Sequence, residues 1–221
     1  MSIKIDETTE QLFPVINHID EVKEAIKGSK EFVFNEVGNF IFSSYKITKE
    51  NTFPDPNLFS NSEERKNAQI RREIRGLVFD LKTGDLVSRT LHKFFNINER
   101  EETLQDKIKF DKENIFILEK LDGSMVTPIM DGKLIRFRTK LSYDNDFTKP
   151  IENFVYGEIP IEKYEIEKSN LLKFCIEWMK KGYTPIFEWC SPEARIVLGK
   201  KKKKFKIKKR LQGTFIERNC Y

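Results

Sequence analysis

The run Ile115-Phe116-Ile117-Leu118-Glu119-Lys120-Leu121-Asp122-Gly123-Ser124-Met125 sets a single lysine at the junction of two apolar segments. Asp-Gly between strand-like segments reads first as a hairpin turn, because both residues tolerate positive φ. That accounts for the backbone and leaves the lysine unexplained. A lysine partly desolvated beside apolar strands has a lowered pKa and becomes a nucleophile at neutral pH. From these residues alone a plain hairpin and a reactive lysine both stay open, and the flanking sequence has to separate them.

Downstream, residues 126–130, the Asp131-Gly132 turn and residues 134–138 repeat strand, turn and strand, with nothing reactive at the turn. Upstream, residues 31–37 and 39–47 are aromatic and β-branched around Gly38 and read as a strand pair, whereas residues 52–66, rich in Pro, Asn and Ser, read as loop. Ile74, Leu77, Val78, Phe79 and Leu81 lead through Lys82-Thr83-Gly84-Asp85 to Leu86-Val87-Ser88, a hairpin, and then to Leu91-His92-Lys93-Phe94-Phe95-Asn96. A solvent-facing strand would not normally carry Phe94 and Phe95 together, so one of the two rings is read as part of a pocket wall. Helical spacing is predicted over residues 8–27, beginning near Pro14 and stopping at Gly28, and over residues 161–181, stopping at Gly182. Residues 184–190 form a strand in which Glu188 stands between Phe187 and Trp189; alternation turns it to solvent unless that face lines a polar cavity. The order of elements predicts an α+β fold, antiparallel sheets flanked by helices.

The chain has 221 residues, 38% hydrophobic and 34% charged, which suits a globular protein with a real core. No apolar run approaches the roughly 20 residues a bilayer span needs, and residues 1–6 lack a signal peptide's apolar stretch, so no membrane association is expected. Cys175, Cys190 and Cys220 have no metal-binding or disulfide spacing and read as reduced thiols, which fits a cytoplasmic protein. His18 and His92 are isolated, which argues against a histidine metal site. The net charge of +5 conceals an uneven distribution: residues 200–210 alone carry nine positive charges, leaving the rest mildly acidic.

Read together, Arg75-Gly76, Lys93-Phe94-Phe95-Asn96, Lys120-Leu121-Asp122-Gly123-Ser124, Lys140, and Phe187-Glu188 followed by Ser191-Pro192-Glu193-Ala194-Arg195-Ile196-Val197-Leu198 resemble, in this order, the phage-type ATP-dependent RNA ligases that seal broken tRNA. These belong to the covalent nucleotidyltransferase superfamily, with DNA ligases and mRNA capping enzymes. The resemblance covers roughly residues 30–198. It implies the nucleotidyltransferase (ATP-grasp-like) fold and a lysyl-AMP intermediate on Lys120, the catalytic nucleophile. It implies ATP and Mg²⁺ as cofactors, and as partner an RNA with 5′-phosphate and 3′-hydroxyl ends, tRNA in the family. Laid on these positions, Lys93 and Lys140 lie near the phosphates and Arg75 contacts ribose or phosphate. Gly123 lets backbone approach the nucleotide, Glu188 contacts ribose or helps hold the metal, Phe95 lines the pocket and Glu119 offers its carbonyl to adenine. A monomer is expected.

Beyond Leu198 the family's later elements, a Glu-x-x-Val motif and a Lys-x-Lys motif, are not recognised, because the Lys-x-Lys forms at 204–208 follow Glu188 too closely. The sequence therefore divides into an incomplete adenylation domain, residues 1–198, and a basic, non-homologous tail, residues 199–221. The tail reads either as an arm gripping RNA phosphates or as a departure from the ancestral frame at an adenine-rich tract. The abrupt loss of resemblance at Lys200 favours the second. Impaired adenylylation is then expected, with two alternative readings kept: an inactive nucleotide- or RNA-binding remnant, and a GTP-dependent mRNA guanylyltransferase.

Overall fold

Two antiparallel four-stranded sheets stack with helices on their outer faces. In the computed structural model residues 13–108, 123–157, 159, 161–163, 169–190 and 210–214 are described. The first sheet has the order β1 (Phe32–Val37), β2 (Phe40–Tyr45), β3 (Arg75–Asp80), β4 (Leu86–Ser88). The second has the order β6 (Leu134–Arg138), β5 (Ser124–Asp131), β7 (Ile186–Cys190), β8 (Arg210–Thr214). The helices are α1 (Ile19–Ala25), α2 (Ser62–Glu73), α3 (Lys149–Tyr156) and α4 (Asn170–Lys180). The α+β class read from the sequence is the one observed.

Both tight hairpins form where Gly38 and Gly132 supply φ of +58° and +61°. The first helix is shorter than its apolar spacing implies. His18 caps it, accepting from the Asp20 amide while Glu21 reaches back to the Asn17 amide, so Ile16 is buried from extended chain. Inside the stretch read as loop, α2 begins at Ser62, capped by the Asn61 side chain, with Glu63 and Glu64 in its first turn and Arg71 and Arg72 in its last. β8 was likewise unforeseen: Arg210–Thr214 pairs along β7, opposite Ile186–Cys190. The expected strand before Lys120 and the Ile196-Val197-Leu198 segment lie outside the described residues.

Three apolar clusters follow from this layering. One lies between the first sheet and α1–α2 (Val22, Ile70, Leu77, Phe79), and another between the second sheet and α3–α4 (Val126, Phe137, Leu172, Phe187, Trp189). The third, Phe40, Phe42, Val78, Ile129 and Tyr143, lies between the sheets. Side chains alternate faces along a strand and cross-strand partners share one. Val126 and Phe187 therefore look to the helices, while Met125, Thr127 and Ile129, with their partners Glu188, Arg138 and Arg136, look towards the first sheet.

Candidate functional site

Along the strands the space between the sheets changes character. It is apolar at Phe40, Phe42, Val78 and Ile129, then polar at Ser44, Arg75, Thr127, Arg138 and Glu188. A bulge produces part of this change. Gly76, at φ +98°, interrupts the β2–β3 register, so Arg75 stands opposite Ser44 and shares the face that carries Phe42. The Arg75 Nε and Nη1, Ser44 Oγ and Thr127 Oγ1 atoms are buried with no hydrogen-bond partner among the described residues. Buried polar atoms are nearly always partnered, so a group of them at one end of a cleft marks a place for a polar ligand.

Arg138 joins the sheets at this end. It is only 1% exposed. Its Nη1 donates to the Gly76 carbonyl (3.0 Å) and its Nη2 to the Ser88 hydroxyl (2.7 Å). Lys140, two residues on, is packed so closely that a Cβ on Gly76 would lie 3.2 Å from its Cα. Its ammonium sits 4.9 Å from the centre of the Tyr45 ring. Arg75 and Lys140, far apart in sequence, thus meet across one glycine.

The Lys93-Phe94-Phe95 segment continues the cationic edge. The Lys93 amide donates to the Arg72 carbonyl at the end of α2 (2.6 Å), and its ammonium donates to the Phe94 carbonyl (2.6 Å). Burial lowers the Lys93 pKa from its ordinary value, and the charges of Arg75 and Arg100 lower it further against the opposing pull of Glu99 and Tyr45. Phe95 is half-buried against the first core, with Lys93 4.1 Å and Arg100 4.9 Å from its centre. Phe94 turns outward under Arg75, whose Cζ is 4.6 Å from the ring centre. Of the two rings, it is Phe94 that reaches solvent.

On the opposite wall Gly123 packs on β7. A Cβ there would stand 2.5 Å from the Trp189 carbonyl oxygen and 3.1 Å from Glu188 Cγ. Only a glycine brings the chain this near, and Glu188 is on the cleft side of its strand. Lys120 and Glu119 lie outside the described residues. Among the described residues no group of three or more His, Cys, Asp or Glu side chains is arranged to hold a metal ion.

Tyr45, Arg100 and Arg138 were not foreseen. In Leu-Ile-Arg-Phe-Arg the arginines alternate with core residues, which assigns them to solvent by pattern. What could have flagged Arg138 is its place two residues before Lys140.

The RNA ligase family matches this chain over residues 73–211, a span that runs past Leu198 and through the lysine-rich segment into β8. A protein of Thermovibrio ammonificans named "Putative RNA ligase" is 38% identical over 157 residues, 70% of this chain and 37% of that protein. RNA ligase 1 of bacteriophage TS2126 is 34% identical over 74 residues, 32% of this chain and 19% of its own length. The chain belongs to the phage-type RNA ligase family. It spans little more than a third of the first relative and about a fifth of the second.

Proposed function

We propose that the stacked sheets are the nucleotidyltransferase core of an ATP-dependent RNA ligase that works through lysyl-AMP on Lys120. The observation that carries this reading is the set of buried guanidinium nitrogens of Arg75, without a hydrogen-bond partner among the described residues, beside Lys93 and Lys140 and across the cleft from Gly123 and Glu188. Phosphoryl transfer requires in-line placement and neutralisation of phosphate oxygens more than any special nucleophile. In the proposed sequence the Lys120 amine attacks the α-phosphorus of ATP, and the bond to pyrophosphate breaks. An oxygen of an RNA 5′-phosphate then takes the AMP from lysine, and an RNA 3′-hydroxyl displaces AMP to form the phosphodiester. Arg75, Lys93 and Lys140 neutralise the phosphates throughout. Family membership supports an RNA substrate, and tRNA with a break is the substrate proposed.

Mg²⁺ fits this donor set, because it is commonly held by one or two carboxylates, substrate phosphates and water, without a cage of protein ligands. Glu188, on the cleft face beside Gly123, is the residue that would hold it, and the ion would supply charge neutralisation.

The test is incubation with α-labelled ATP and Mg²⁺. Label is expected on the chain, lost in Lys120→Ala and absent with labelled GTP. Equal labelling of Lys120→Ala would refute the assignment of the nucleophile, and preferential labelling by GTP would move the protein to the guanylyltransferases.

A further inference from the structure

An exposed phenylalanine is ordinary on a protein surface, and Phe94 is 53% exposed. What distinguishes it is its company. Its carbonyl accepts the Lys93 ammonium and its ring carries the Arg75 guanidinium, so the two cations best disposed to hold a phosphate are both anchored on this one residue. Arg75 presents to the cleft's polar end nitrogens that lack partners among the described residues, and Lys93 is held beside it through their shared contacts with Phe94. A nucleotide whose phosphate met Arg75 and Lys93 would bring its base within reach of the ring. Aromatic rings beside a cationic track are how proteins hold single-stranded nucleic acid without reading its sequence, since every base has a π face.

We propose that Phe94 is the stacking platform for the first base of a 5′-phosphorylated RNA strand. The proposal rests on the reading of the cleft given above. It divides the labour of the aromatic pair. Phe95, half-buried, organises the cations Lys93 and Arg100, whereas Phe94, exposed, meets the strand. The RNA 5′-phosphate must approach the α-phosphate held by the same cations, so a ring on their solvent side lies on its path.

The test is fluorescence anisotropy of the full chain with a single-stranded 5′-phosphorylated oligoribonucleotide and with the same strand carrying an abasic first nucleotide. Phe94→Ala is expected to bind the intact strand roughly 5- to 150-fold more weakly, the range for losing one stacked base. Phe94→Trp is expected to bind within about twofold of wild type, stacking being retained. Wild type should lose a similar factor on the abasic strand, and Phe94→Ala should lose nothing more on it. Equal binding of the intact strand by wild type and Phe94→Ala, or equal losses on intact and abasic strands, overturns the proposal. So does a loss of ATP affinity as large as the loss of RNA affinity, which would give the ring to adenosine. If Lys120 takes label while Phe94 proves indifferent, this inference alone falls. If Lys120 takes no label and neither strand binds, the reading of the cleft falls with it.

Discussion

Gly123→Ala separates packing from chemistry. The added methyl would stand 2.5 Å from the Trp189 carbonyl oxygen, 3.0 Å from its carbon and 3.1 Å from Glu188 Cγ, against ordinary contacts of 3.4–4 Å. Two of the three atoms are strand backbone, so relief requires β7 or the chain before β5 to move by about an ångström. Gly123 does not have positive φ, so the collision is the whole penalty. Overpacking of this kind costs about 1–3 kcal/mol, and the stiffer unfolded chain returns about 0.4–1 kcal/mol. A net loss of about 0.5–2 kcal/mol lowers Tm by roughly 1–8 °C at this chain length. The chemical loss should be far larger, on the order of 100-fold in the rate of lysine labelling, because an ångström of misplacement at a reacting centre has that effect. Gly132→Ala is the control: it meets nothing within 4 Å, but its φ of +61° strains any side chain, at about 1–2 kcal/mol. Thermal melts and labelling rates of both variants decide the matter. If Gly123→Ala labels at the wild-type rate, or if Gly132→Ala loses labelling as severely, the close approach of Gly123 to Glu188 does not serve the chemistry.

Arg138→Met should lower stability by about 2–5 kcal/mol, since it strands the Gly76 carbonyl and the Ser88 hydroxyl in a buried place, and Arg138→Lys should recover part of it. A denaturant melt in which the methionine variant matches wild type refutes the clamp. Pyrophosphate at about 100 times its Kd should raise stability by about 2.7 kcal/mol. Lys93→Ala should shrink that gain, because burial beside Arg75 and Arg100 makes a bound anion the natural relief; an undiminished shift would refute the assignment. Lys49 and Ser29 hold the Glu31 carboxyl at about 2, below its ordinary 4.5. Its contribution is therefore complete above about pH 4.5 and lost as pH falls towards 2. The Tm difference between wild type and Glu31→Gln should close over that window, and a difference independent of pH would contradict the pairing.

Local chemistry made much of this molecule legible. Alternating apolar residues around Gly38 and Gly132 announce β1–β2 and β5–β6, and Gly182 announces the end of α4, whose Ser169 cap lies inside the stretch read as helical from residue 161. The family was legible too, because its motifs are short runs of contiguous residues. Two helices were not. α2 is mostly charged and amide side chains, so only its Asn61 cap and its charge order give it away, and α3 lies over eight residues between Thr148 and Gly157. Such segments are helical mainly because a neighbouring sheet covers their few apolar residues, Ile70 in one and Ile151 in the other.

The amino-acid sequence by itself determined seven of the eight described strands, the glycine turns and the membership in the RNA ligase family, and it named Arg75, Lys93, Lys140, Gly123 and Glu188 as one candidate set. Only the tertiary structure decided which way the polar faces turn. Period-two alternation says that Glu188 and Arg138 oppose the helix-covered core and, in a lone sheet, gives them to water. Stacking of the first sheet on that face encloses both, so Arg138 becomes a buried clamp and Glu188 a wall of the cleft. The same stacking, with the Gly76 bulge, brings Arg75 to Lys140. These contacts link positions some 60 residues apart, and a pattern that runs along one strand carries no information about what covers its other side.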